Sequence, residues 1–329
     1  MTGNDLVAAT RPFAKEKRAH SWFHLATTFA LLIGLLGCAA YLPWSLWPLR
    51  VVAGFAGALV MVRAFIIYHD FQHGAILRGS LLAKAVLYPF GMLFFMGPKY
   101  WRETHNFHHA HVSTFSHSAP GSFPILTVEM YRKSTWGQRL NYAIMRHPLT
   151  ILLAYITVFL FSHGIEPFVK QPLKHWSAGV ALLVHGGLIA ILWLTGGWDA
   201  ALLGFILPYA FSAALGAYMF YAQHNFRGVK VLGEQEWSVT EAALKSSSYM
   251  KLPRILDWLT GSIGFHHIHH VNSTIPFYRL REAMAAIPEL QQPLVTTLRP
   301  SDVIHSLRLK VWDPAQSRMI SFREARRAA

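Results

Sequence analysis

The run SAGVALLVHGGLIAILWLTGGWDAALLGFILPYAFSAALGAYMFY, residues 177–221, contains one charged side chain, Asp199. A helix needs about 20 mostly apolar residues to cross the hydrocarbon core of a bilayer. The run is therefore long enough for two crossings, and GGWD at 196–199 supplies the break between them. Spans at 177–195 and 201–221 form a predicted hairpin. Upstream, spans at 22–42 and 49–68 flank PWSLW at 43–47 and form a second one.

The rest of the composition agrees with a membrane protein. Of 329 residues, 53% are hydrophobic and only 14% are charged, and mean hydropathy is +0.29, to the apolar side of soluble domains. The single cysteine, Cys38, sits in an apolar run. It excludes an intramolecular disulfide or a cysteine-ligated cluster within this chain, so any metal site must use nitrogen and oxygen. The formal net charge of +14 has two readings: nucleic-acid binding, or basic loops facing anionic lipid.

Charge placement separates them. The links 43–48 and 196–200 carry no Lys or Arg, whereas the amino-terminal tail carries Arg11, Lys15, Lys17 and Arg18. Residues 69–150 hold eight basic side chains, Lys170 and Lys174 follow, and the chain after Tyr221 holds fourteen. By the positive-inside rule the two short links face outward and everything else faces the cytoplasm. Two weaker apolar stretches, 81–98 and 149–169, are interrupted by Pro89, Gly91, Gly97 and Pro98 in the first and by His163, Glu166 and Pro167 in the second. A single crossing by either would put basic regions outside, so both are assigned to the interface. Trp22, Trp44, Trp47, Trp176, Trp193 and Trp198 lie near span ends, as expected at headgroup level. The expectation is one all-α integral-membrane domain over residues 1–329. It has a cytoplasmic tail at 1–21, four transmembrane helices in two hairpins, interfacial helices, a helical cytoplasmic part at 222–329, and both termini cytoplasmic. The charge is then accounted for without nucleic acid.

Nineteen histidines are two to three times ordinary usage. HDFQH holds His69 and His73, HNFHH holds His105, His108 and His109, and HHIHH holds His266, His269 and His270. Spacings of three and four place side chains on one helix face. The second span can continue through His73, and a new helix can run from about Ile263 to the NST stop before Pro276. Grouped neutral imidazoles bind Fe, Zn, Cu or Ni, whereas packed histidines without metal repel once protonated. Eight imidazoles exceed one tetrahedral zinc and suggest two metals. Neither a Glu-x-x-His pair among the clusters nor a His-Glu-x-x-His helix occurs. Spacing alone leaves the metal open.

The three clusters, HxxxH, HxxHH and HxxHH, resemble the histidine boxes of the integral-membrane fatty acid desaturase and hydroxylase superfamily. The flanks WRETHNFHH, RHPLTILL, FYAQHNF and LTGSIGFHHIHHVNSTIPFYRL are similar to its acyl-lipid, omega-6 or delta-12-like bacterial branch. Box one reads HDFQH where many relatives of that branch carry a Cys-Gly pair. The resemblance implies two non-haem irons that activate O2 as co-substrate and remove two hydrogens from adjacent carbons of a membrane-lipid acyl chain. It also implies the ligands His69, His73, His105, His108, His109, His266, His269 and His270, with His224 of AQHNF as a ninth. Asp70, Asn106 and Gln223 are candidates for bonds that fix the imidazole tautomers, while His111 and His267 are read as neighbours of the site. LYPFGMLFFMG at 87–97 and the run 149–161 are either interface segments or walls of an acyl tunnel.

No flavin, nicotinamide or haem motif is present, so electrons must come from a separate ferredoxin, rubredoxin or cytochrome-like donor. Arg318, Arg323, Arg326 and Arg327 form a basic end suited to such a donor or to anionic headgroups. The expected location is a bacterial inner membrane. Two rival functions stand beside desaturation: hydroxylation of a lipid, carotenoid or alkane by the same kind of centre, and metal transport or sensing. The last predicts ligands within the spans, where His185 is the one histidine of the second hairpin.

Overall fold

The computed structural model describes residues 3–115, 121–233 and 235–327 and is built almost wholly of helices. Arg18–Tyr41 and Trp47–His73 pack antiparallel. Arg50 reaches the carbonyls of Ala39 and Ala40, and Arg63 reaches Thr28 at the opposite end. Close approach depends on small residues. A Cβ on Gly57 would stand 2.6 Å from Leu36 Cδ2, and one on Gly204 would stand 2.7 Å from the Ala40 Cβ.

Among the described residues, Arg18–Tyr41, Trp44–His73 and Trp176–His224 are long and apolar enough to cross a membrane. The third is folded back on itself. The His185 ring lies 5.0 Å from both Phe205 and Tyr209, whereas residues 24 apart in one straight helix would be separated by about 36 Å. The reversal occurs at Gly197, whose φ of 79° and ψ of 178° lie in a region essentially restricted to glycine. Helices Trp176–Ala201 and Leu207–His224 are the two limbs. Their outward faces, like those of the first hairpin, expose large apolar side chains such as Phe23, Val52, Leu183 and Leu194. A continuous apolar surface of this kind suits lipid.

The weaker stretches take other forms. Leu81–Leu93 and Pro98–Ala110 bend by 78° where they meet. Ser80 caps the first limb, its Oγ accepting the Ala83 N–H, and Pro98 opens the second, a position where its missing N–H costs nothing. Residues Tyr155–Ile165 form a wide π-helix between Pro148–Leu152 and Glu166–Lys170. His185 holds these segments to the second hairpin: its Nδ1 faces the Leu93 carbonyl at 2.8 Å and its Nε2 faces the Tyr155 hydroxyl at 2.7 Å.

The remaining elements gather at the end of the bundle where Trp47–His73 and Leu207–His224 stop. Gly74, at φ 72°, ends the former immediately after His73 by donating its N–H to the Asp70 and Phe71 carbonyls. Beyond lie short helices, a parallel pairing of Tyr249–Met250 with Val295–Thr296, and an antiparallel one of Val311–Asp313 with Arg318–Ile320. The helix anticipated from about Ile263 is shorter, His266–Val271, because residues 260–265 are taken up by turns.

Candidate metal centre

Four elements deliver imidazoles to one place. His69 and His73 end the helix Trp47–His73, His105, His108 and His109 end Pro98–Ala110, His224 ends Leu207–His224, and His266, His269 and His270 lie on His266–Val271. They form two groups. His69, His73, His105, His109 and His269 each offer a ring nitrogen within 4.8 Å of the others, and so do His108, His224, His266 and His270. The groups adjoin, with the His109 and His270 rings stacked at 4.3 Å.

The nitrogens are spaced as ligands. In the five-histidine group the Nε2–Nε2 separations are 3.0 Å for His69–His105, 3.1 Å for His105–His109 and 3.2 Å for His109–His269. In the other, His224–His266 is 2.9 Å and His266–His270 is 3.1 Å. Nitrogens about 2.1 Å from a common metal stand about 3.0 Å apart at a right angle and about 3.4 Å apart at a tetrahedral one. Each group also contains a buried ring nitrogen without a hydrogen-bond partner, His73 Nε2 in one and His108 Nε2 in the other. Leaving such an atom bare costs about 1–3 kcal/mol, and a metal at the centre of each group would use its lone pair. Burial, followed by the neighbouring imidazoles, holds His266, His269 and His270 well below the usual histidine range, so they are neutral and able to ligate. The residues present therefore fit two metal ions.

Three of the other ring nitrogens are oriented from behind. His69 Nδ1 faces Asp70 Oδ1 at 3.1 Å, His108 Nδ1 faces Ser122 Oγ at 2.5 Å, and His224 Nδ1 faces the Ser246 carbonyl at 3.1 Å. The Trp101 indole stacks on His105 at 4.3 Å. Of the tautomer-fixing candidates, Asp70 touches a group member. Gln223 is buried and donates to the Ile263 carbonyl at 2.8 Å, tying the last helix to the turn before HHIHH. Asn106 is exposed, because the 100° step per residue turns it away from His105. His111 stacks on Phe107 at the surface, and His267 is buried away from both groups with Nε2 at 3.2 Å from the Leu290 carbonyl. Burial pushes His267 down to about 4.

A cavity of about 1020 Å³ opens beside the groups, with His69, His105 and His266 in its wall. It continues into the bundle between Val62, Phe65, Phe94, Phe159, Gly216 and Met219, while Lys170, Lys174 and His175 line another part. Phe94 and Met96 come from the stretch 87–97 and Ile156 and Phe159 from 149–161, so both stretches contribute wall.

Comparison with known proteins agrees with this geometry. The sequence pattern of the fatty acid desaturase family matches residues 45–300. The chain belongs to that family. It is 29% identical over 320 residues to a fatty acid desaturase of Bacillus subtilis (strain 168), covering 97% of this chain and 90% of the relative. It is 22% identical to an sn-1 oleoyl-lipid 12-desaturase of Picosynechococcus, covering 82% and 77%. It is 24% identical to an sn-1 acyl-lipid omega-3 desaturase (ferredoxin) of Synechocystis, covering 78% and 72%. As a fatty acid desaturase it is an oxidoreductase of lipid metabolism, and the family is known to use two irons. Sequence reasoning missed Ser122, Ser246 and Trp101 as supports of this desaturase's histidines. Trp101 alone left a signal, standing four residues before His105 on one helix face.

Proposed function

We propose that this desaturase introduces a cis double bond into the acyl chain of a membrane lipid, at a delta-12 or omega-6-like position, using two irons, O2 and an external electron donor. The observation that carries the reading is the apolar cavity walled at one place by His69, His105 and His266. A hydrocarbon chain offers no polar handle, so position must come from the shape of the cavity. His69, His73, His105, His109 and His269 hold one iron, and His108, His224, His266 and His270 hold the other. When bound, the irons supply the O2 chemistry that removes two hydrogens, and the overall balance is one O2, two electrons and two protons for one double bond and two waters. Neutral imidazoles leave the metal charge intact, and the apolar wall excludes water from the reacting carbons. The likeness to acyl-lipid desaturases, one of them named with ferredoxin, supports a lipid substrate and a small redox protein as donor.

The same reading sets one domain over residues 1–329 in a bacterial inner membrane, with four spans and both termini in the cytoplasm. The fold-back at Gly197 and the absence of Lys and Arg from the links 43–48 and 196–200 support it.

The test is fatty-acid methyl ester analysis of a bacterial host supplied with iron and ferredoxin, expressing wild type or His269→Ala. A new diunsaturated acid with wild type alone is expected. A hydroxy acid in its place would move the chain to the hydroxylases, and unchanged lipids in both strains would overturn the reading.

A further inference from the structure

We infer that Arg146 is a positioning residue for the four-histidine group, holding His224 and His108 in place from a buried site behind them. Arg146 opens the RHPLTILL stretch, which the metal centre leaves without a role. Its side chain is 1% exposed, the largest of the fully buried side chains among the described residues. One guanidinium nitrogen donates to Asn225 Oδ1 at 2.7 Å, and Asn225 directly follows His224. Asn225 is itself fixed, its amide donating to the Ser306 and Leu309 carbonyls at 2.7 and 3.1 Å, where the helix ends. The other terminal nitrogen donates to the Pro124 carbonyl at 2.8 Å. Two residues earlier, Ser122 Oγ meets His108 Nδ1 at 2.5 Å. One planar fork thus spans the end of the helix that carries His224 and the segment that orients His108.

The five-histidine group is held by other side chains: Arg102 donates to Gln72 Oε1 at 2.9 Å, beside His73, and its ring partner Asp70 is anchored to Phe277. Supports of this kind set imidazole orientation, and their loss costs about 10–100-fold in metal affinity. Lysine cannot reproduce the fork, because it offers a point charge in place of two diverging donors. The inference rests on reading the two groups as metal sites, and it makes the loss selective.

The test uses the purified full-length chain in detergent, titrated anaerobically with ferrous iron, for wild type, Arg146→Lys and Arg146→Ala. His266→Ala serves as the reference for a damaged four-histidine group. Wild type is expected to take two irons. Arg146→Lys is expected to keep one at wild-type affinity and bind the second at least tenfold more weakly, with the Mössbauer spectrum of the remaining iron matching that of His266→Ala. If neither Arg146 variant folds, Asn225→Ala cuts the link to His224 while keeping the arginine, and the same selective loss is expected. Equal weakening of both irons, or wild-type binding of both, would overturn the inference. Failure of the wild type to bind iron would instead remove the metal reading beneath it.

Discussion

Asp70 accepts the backbone N–H of Phe277 at 2.6 Å across 207 residues of chain. The other oxygen of the same carboxylate faces His69 Nδ1 at 3.1 Å. Burial pushes the Asp70 carboxyl up while the Phe277 N–H opposes the shift; in its ionised form it only accepts, so the proton then sits on Nδ1 and the Nε2 lone pair faces His105 and the centre of the five-histidine group. Asp70→Asn keeps an oxygen for Phe277 but turns an amide N–H₂ towards His69. Nδ1 must then accept, and the proton moves to Nε2, the ligating atom. Iron affinity at that group should fall about 10–100-fold, with the four-histidine group unchanged. Anaerobic iron titration checks this, and equal affinity in the variant would contradict the tautomer argument.

Gly216 lines the cavity, and a Cβ placed there meets nothing within 4 Å. It stands eight residues before His224, about 12 Å along the helix, so a larger side chain shortens the space beyond the histidines without disturbing them. Gly216→Leu should fold normally, since leucine favours helix over glycine by roughly 0.5–1 kcal/mol. Selectivity should move to shorter acyl chains, with the ratio of kcat/KM for long over short substrates falling about tenfold or more. Product chain lengths from lipid extracts give the measurement. An unchanged profile would mean that the chain does not run past Gly216.

Burial, followed by Arg146, pushes Lys310 down to about 7. Its ammonium donates to the Arg146 carbonyl, the Tyr221 ring faces it, and Tyr142 donates to its backbone carbonyl. No carboxylate is among these partners. The unfolded lysine titrates near 10.4, so between about pH 7 and pH 10 the unfolded chain binds more protons than the folded one. Stability therefore rises with pH across that window and carries the full cost of the buried charge below it. Lys310→Met should flatten this dependence and raise stability most at pH 6. Unfolding midpoints in detergent at pH 6, 8 and 9.5 decide the matter.

The sequence exposes those features that follow a period. Span length and the placement of Lys and Arg mark the hairpins, and steps of three and four residues gather the box histidines. Their partition also follows from helix geometry, though only after the helices are placed. Residues i and i+4 differ by about 40° around the axis, while i+3 lies about 60° the other way. His105 and His109 accordingly share one group while His108 joins the other, and His266 and His270 pair while His269 crosses over. The same step sends Asn106 outward, a consequence of the helix rule that the reading of Asn106 as a ring partner had set aside. Ser122 and Ser246 were hidden because each comes from a segment whose approach to a histidine is set by tertiary packing, with no local spacing to betray it.

The far ends of the hairpins are joined by a second buried arginine. Arg50 is 2% exposed and donates to the Ala39 and Ala40 carbonyls at 2.8 Å each and to Asp199 Oδ2 at 2.5 Å. The ion pair joins the start of the helix Trp47–His73, just past PWSLW, to GGWD, yet its two halves are unequal. The Asp199 side chain is 43% exposed, so its pairing is screened by solvent, and Asp199→Asn should cost under about 1 kcal/mol. Arg50→Met strips two carbonyls of their donor where water is scarce, at about 2–4 kcal/mol. A double-mutant cycle by chemical unfolding in mild detergent separates the contributions. The expected coupling is small beside the arginine's own effect. A coupling as large as that effect would show that the ion pair, rather than the capping of Ala39 and Ala40, holds the hairpins together.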